Sequence, residues 1–160
     1  MSSFLAARVS DLVDWARSSS LWYFNVGGGC CADEVLSAQG CRYDIERFGA
    51  LPQTHPEQAD LLIVSTVVTE RLLPVIREVY ARMPSPKYVM SVGACANSMG
   101  AFSERVTYAK TLPLDQVIPV DVFVPGCPPR PEAIMNGLIR LQEKILAEKK
   151  GRHESVTQET

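Results

Sequence analysis

The residues best placed to do chemistry are the cysteines at positions 30, 31, 41, 95 and 127. An odd number of cysteines, in a chain that reads as having no export signal, argues against a disulfide framework and for metal, cluster or redox use. Four of the five follow short apolar runs. Cys30 and Cys31 come after Leu21 to Val26, Cys95 after Tyr88 to Gly93, and Cys127 after Val117 to Val124. Cluster iron is held by thiolates, and a [4Fe–4S] cube takes four of them, one per iron. Adjacent side chains on a strand point to opposite faces, so Cys30 and Cys31 reach one cluster only if the backbone turns there, and Gly27, Gly28 and Gly29 allow that turn. Cys127 sits in Pro125-Gly126-Cys127-Pro128-Pro129, where three prolines stiffen the loop. Cys95 sits in Gly93-Ala94-Cys95-Ala96-Asn97-Ser98-Met99-Gly100, a small-residue loop that lets backbone amides approach cluster sulfurs. Hydrogen bonds of that kind raise a cluster's potential. Taken singly, each cysteine reads as an ordinary buried residue. Zinc is the other alternative, but no Cys-x₂₋₄-Cys pair surrounds Cys95 or Cys127.

The elements that must position these thiols follow from periodicity. Leu21 to Val26, Ala59 to Ser65, Tyr88 to Gly93 and Val117 to Val124 read as buried parallel strands. Leu72, Val75, Ile76, Val79, Tyr80 and Met83 fall on one helical face, with Pro74 in the first turn and Pro84 as the stop. Ile134, Leu138, Leu141 and Ile145 form a second stripe, begun by Pro131 and closed before Gly151. An amphipathic helix over about residues 8–19 carries Val9, Leu12, Val13 and Ala16 on one face. Strands alternating with helices predict an open α/β sheet with ligands beyond the carboxyl ends of its strands, where the cysteines lie.

With 160 residues, 46% of them hydrophobic, the chain is long enough for one cored domain, expected over residues 1–146, followed by a polar disordered tail over 147–160. A net charge of −2 supplies no cationic excess for a phosphate backbone, which sets nucleic acid aside as a partner. No apolar stretch approaches the ~20 residues that span a bilayer, so the expectation is a protein soluble by itself and cytosolic. No phosphate loop or Gly-x-Gly-x-x-Gly fingerprint is present, which argues against nucleotide or flavin binding.

The cysteine motifs, together with Asp11 to Arg17, Ser20-Leu21-Trp22, Arg42-Tyr43-Asp44, Glu46 to Gly49, Met83 to Lys87 and Pro119-Val120-Asp121, make the chain recognisable. It resembles the 20 kDa, cluster-bearing subunit of respiratory complex I and its relatives among membrane-bound [NiFe]-hydrogenases. The resemblance implies a flavodoxin-like fold and one [4Fe–4S] cluster on Cys30, Cys31, Cys95 and Cys127, the last in a chain of clusters. It implies as partners a large catalytic (49 kDa-like) subunit, a ferredoxin-like two-cluster subunit, membrane subunits, and a quinone or other acceptor at the large-subunit interface. Location would be peripheral, on the cytoplasmic side of the cell membrane. The adjacent Cys30-Cys31 pair is similar to the quinone-reducing branch, whereas the hydrogenase branch commonly has Cys-x-x-Cys. The alternative reading is the small subunit of an energy-converting hydrogenase or formate hydrogenlyase-type complex. A third is a scaffold module that has lost its cluster.

Some positions depart from the resemblance. Val35 and Leu36 stand where complex I relatives have two methionines, and Gln53 and Glu57 where two arginines are common. Together these changes remove flexible thioether surface and up to two positive charges from the region expected to face the large subunit, so the expected acceptor is a low-potential quinone or not a quinone at all. Glu34 matches a family position beside the ligands. Its carboxylate would resist adding an electron to the cluster or take up a proton when one arrives; the plain alternative is that Asp33 and Glu34 favour the positive end of the next helix. Arg42, Asp44, Glu46 and Arg47 read as a subunit contact or as local ion pairs. His55 and His153 read as solvent-exposed, and Cys41 as a structural thiol.

Overall fold

The computed structural model describes residues 12, 15, 16, 18–103 and 108–157, with backbone alone for 148–157. Among these, five strands form one parallel sheet: β1 (Leu21–Gly27), β2 (Ala50–Pro52), β3 (Leu61–Ser65), β4 (Tyr88–Val92) and β5 (Val122–Val124). Their order is β2-β1-β3-β4-β5, the flavodoxin-like arrangement, with its topological switch point between β1 and β3.

Alternation along β3 shows why the sheet must be covered on both faces. Leu61 and Ile63 point into one apolar layer, Leu62 and Val64 into the other, and all four are fully buried. The first layer is closed by α1 (Cys30–Gln39) and α4 (Pro131–Thr157). In α1 the buried positions are Cys31, Val35 and Ala38, an i, i+4, i+7 stripe. In α4 they include Ile134, Leu138, Leu141 and Ile145, the stripe read from the sequence. The second layer is closed by α2 (Leu73–Arg82), from which Ile76 is fully buried, and by Leu114 and Ile118. Val75, expected on the inner face of α2, is exposed.

The carboxylate of Asp121 accepts from Val89 N at 2.8 Å and from Lys144 Nζ at 2.8 Å, tying together the start of β5, β4 and α4. Asp44 and Arg47 form a local ion pair at 3.0 Å around the buried Ile45.

Several boundaries differ from the sequence reading. β2 is an extra three-residue edge strand. The run from Val117 is strand only from Val122, because Ile118 packs into the α2 layer after a 3₁₀ turn at Leu114–Gln116. The Cys95 loop is a short helix, α3 (Ala94–Ser98). The backbone of α4 runs through Gly151 to Thr157, past the expected stop; Ala147 and the lysines and glutamate after it are good helix formers, and one glycine costs only about 1 kcal/mol. Near the amino terminus Leu12, Trp15, Ala16, Ser18 and Ser19 are helical, while Val9 and Val13 lie outside the described residues.

Candidate functional site

The site is built from three loops at the carboxyl edge of the sheet. After β1 the chain turns through Gly28 and Gly29, and α1 starts at Cys30. The adjacent cysteines therefore sit about 100° apart on a first helical turn rather than on opposite faces of a strand. Cys31 turns inward and is buried, whereas Cys30 is exposed. After β4, Gly93 precedes α3, which carries the buried Cys95. After β5, Pro125-Gly126 leads to the exposed Cys127.

Gly93 is the point where the three loops meet. Its backbone, at φ 90° and ψ 160°, lies in a region open essentially to glycine alone. A Cβ there would collide with Cys31 Sγ and would stand 3.6 Å from Gly126 O. Gly93 N donates to Val124 O at 2.9 Å, and Ala94 N donates to Gly126 O at 2.7 Å. Backbone hydrogen bonds thus lock the Cys95 loop to the Cys127 loop, with the Cys31 sulfur resting on the junction.

The two buried thiols are both shifted upward. Burial pushes Cys31 up to about 12, helped by the charge of Cys30 and a hydrogen bond with it, then by Cys95 and Cys127. Cys95 is raised by burial first, then by Cys127 and Cys30. At Cys31 and Cys95 the thiolate is disfavoured until a cationic centre enters, and a bound metal would reverse that preference. Among the described residues no three His, Cys, Asp or Glu side chains converge tightly enough for a single metal ion. A cubane takes one thiolate at each of four irons, and the three loops supply four cysteines at one edge of the sheet. The donor set fits the cluster read from the sequence.

The remaining positions separate clearly. Glu34 is half-buried on α1, four residues beyond Cys30 and so on the same helical face. Cys41 is exposed just beyond the opposite end of α1, roughly 15 Å along the helix axis from Cys30 at ~1.5 Å per residue. A Cys41→Ser variant is therefore expected to keep its full iron content; iron loss as complete as in Cys95→Ser would show the wrong four ligands.

The departures from the family do not share one surface. Val35 is fully buried between α1 and the sheet and cannot face a partner; only Leu36 is exposed there. Gln53 N donates to Tyr23 O and Asp60 N to Trp22 O, both at 2.8 Å. The two ends of the segment bearing Gln53 and Glu57 are thus held at the first half of β1, Gln53 at a register roughly 13 Å short of Gly27, at ~3.3 Å per residue.

Sequence reasoning missed Asn97. Its Nδ2 donates to Val124 O at 3.1 Å, and its Oδ1 accepts from Ser91 Oγ at 2.5 Å. The signal in the sequence was a polar Ser91 inside an apolar strand and an amide two residues after Cys95.

Residues 29–141 match the family model described as NADH ubiquinone oxidoreductase, 20 Kd subunit. The chain is 47% identical over 147 residues to a subunit of the NADH-quinone oxidoreductase of Geobacter metallireducens, covering 92% of this chain and 85% of that protein. It is 50% identical over 141 residues to the corresponding NADH-quinone oxidoreductase subunit of Salinispora tropica, covering 88% and 74%. Among solved structures it is similar to a chain of the membrane-bound sulfane sulfur reductase (MBS), an archaeal respiratory membrane complex, with TM-score 0.76 and 41% identity over 84% of this chain and 75% of that one. With the family model spanning most of the chain and the relatives nearly all of it, the protein belongs to the NADH ubiquinone oxidoreductase 20 Kd subunit family.

Proposed function

We propose that the chain is the electron-delivering subunit of a membrane-associated, complex I-like oxidoreductase, holding one [4Fe–4S] cluster on Cys30, Cys31, Cys95 and Cys127. The observation that carries this reading is the meeting, at Gly93, of the three loops that bear those cysteines at one edge of a flavodoxin-like sheet, with the Cys31 sulfur against Gly93 and the Cys95 loop bonded to the Cys127 loop. When bound, the cluster supplies one-electron transfer. The chain's own residues set the conditions. Cys31 and Cys95 anchor the buried side, Cys30 and Cys127 the side open to a partner, and the backbone bonds around Gly93 hold the loops rigid. Glu34 places a carboxylate on the same face of α1 as Cys30, one turn further along.

Electrons come from a ferredoxin-like two-cluster subunit and leave toward an acceptor at the interface with the large catalytic subunit. No helix among the described residues is long and apolar enough to cross a membrane, so membrane subunits hold the chain peripherally, on the cytoplasmic side. The acceptor is a quinone, in keeping with relatives named NADH-quinone oxidoreductase.

A second reading is favoured by the likeness to a sulfane sulfur reductase: an acceptor other than quinone. Val35, which is fully buried, and Gln53, held at the start of β1, lend it no help. The intact complex, purified anaerobically, is expected to hold about four irons and four acid-labile sulfides attributable to this chain. Zinc without labile sulfide would overturn the cluster. Turnover of the same preparation with ubiquinone, menaquinone analogues and a sulfane sulfur donor separates the two acceptors.

A further inference from the structure

Asn97 lies outside the cysteine set yet joins the two loops that carry Cys95 and Cys127. Its side-chain orientation is determined by its partners. Val124 O can only accept, so it must face Nδ2; Oδ1 then faces Ser91, whose hydroxyl donates. Val124 O also accepts from Gly93 N, and Asn97 N donates to Gly93 O at 3.1 Å. One amide therefore links the end of β4, the helix bearing Cys95 two residues before it, and the end of β5 three residues before Cys127. On its far side, Cys127 is stiffened by Pro128 and Pro129. On its near side only Pro125 and Gly126 separate it from Val124, so the place where Val124 is held is the place from which Cys127 is aimed.

We infer that Asn97 is a positioning residue for the cluster: by clamping Val124 O against α3, it sets the separation of the Cys95 and Cys127 sulfurs and the solvent access between them. The inference rests on the proposed cluster. Few other residues could do this at position 97. Aspartate keeps the bond from Ser91 but cannot donate to Val124 O, and alanine also leaves the fully buried Ser91 hydroxyl without its acceptor. Partners one step removed from a metal centre alter its affinity and electronics as well as its fold.

The test uses the intact complex, purified anaerobically, with Asn97→Ala, Asn97→Asp and Ser91→Ala beside the wild type. The readouts are the g values and midpoint potential of the reduced cluster, the rate of iron loss to a chelator, and thermal unfolding. Asn97→Ala is expected to shift the g values and potential and to lose iron roughly tenfold faster. Asn97→Asp should lose the same donor and, by adding negative charge, reduce at a lower potential than Asn97→Ala. Ser91→Ala, which removes only the group orienting the amide, should fall between wild type and Asn97→Ala. Wild-type g values, potential and chelation rate in Ser91→Ala and Asn97→Ala, with only a lower unfolding temperature, would overturn the inference. If Asn97→Ala does not accumulate, unchanged spectra and potential in Ser91→Ala overturn it alone. A wild-type complex without the four-iron signal would instead overturn the cluster reading, and that failure shows before any variant is compared.

Discussion

Cys31→Ser and Cys95→Ser are expected to leave less than about a tenth of the wild-type iron and no reduced-cluster signal in electron paramagnetic resonance. Both sulfurs are buried. A serine hydroxyl ionises far less readily than a thiol, and burial has already driven Cys31 up to about 12. An iron left without a ligand there would lie on the buried side of the site, where solvent is the poorer substitute. Cys30 and Cys127 are exposed, so their replacement opens a coordination position to solvent. Cys30→Ala and Cys127→Ala should also lose the wild-type signal, but added small-molecule thiol should restore part of it. The same thiol should restore nothing to Cys31→Ala or Cys95→Ala. A wild-type signal in Cys31→Ser, Cys95→Ser, Cys30→Ala or Cys127→Ala, or rescue of the buried pair as complete as that of the exposed pair, would show that the ligand assignment is wrong.

Gly93→Ala carries the second large effect, and Gly29→Ala is its control. Both glycines occupy the region of positive φ with extended ψ, at φ 90° and 69°, where a side chain costs about 1–3 kcal/mol in backbone strain. Nothing lies within 4 Å of a Cβ at Gly29, so strain is the whole cost there. At Gly93 the new methyl would enter the Cys31 sulfur, and overpacking of that kind adds about 1–3 kcal/mol. Gly29→Ala should therefore unfold at a lower temperature but keep its iron. Gly93→Ala should unfold lower still and lose the cluster, because Cys31 must swing aside. Calorimetry and iron content on the two variants decide this; full iron in Gly93→Ala would mean that the junction is looser than its bonds imply.

The architecture was legible where side chains obey a strict period. Leu61 to Ser65 reads as a buried strand because it is apolar throughout, and Ile134, Leu138, Leu141 and Ile145 read as a helix because they repeat at helical spacing; both stand as read. Ala50 to Pro52 was illegible, since a three-residue edge strand carries no period of its own and forms by pairing with Leu21 to Tyr23. Val35 shows a different limit. A resemblance fixes where a residue stands in the chain, but only the stripe Cys31, Val35, Ala38 reveals that it turns inward. The cysteines were legible because they follow strand ends, and parallel strands bring their carboxyl ends to one edge. What brings the sulfurs together is a contact between a glycine and a cysteine 62 positions apart, an interaction for which no local pattern exists.

The split between two buried and two exposed cysteines bears on manufacture. On the proposed reading, a cluster would enter a folded sheet from the side where Cys30 and Cys127 are exposed, which is also the side left open to the proposed large partner. Delivery and docking then compete for a single surface. Loading would then have to come first, since a chain docked before it was loaded would be sealed without its cargo.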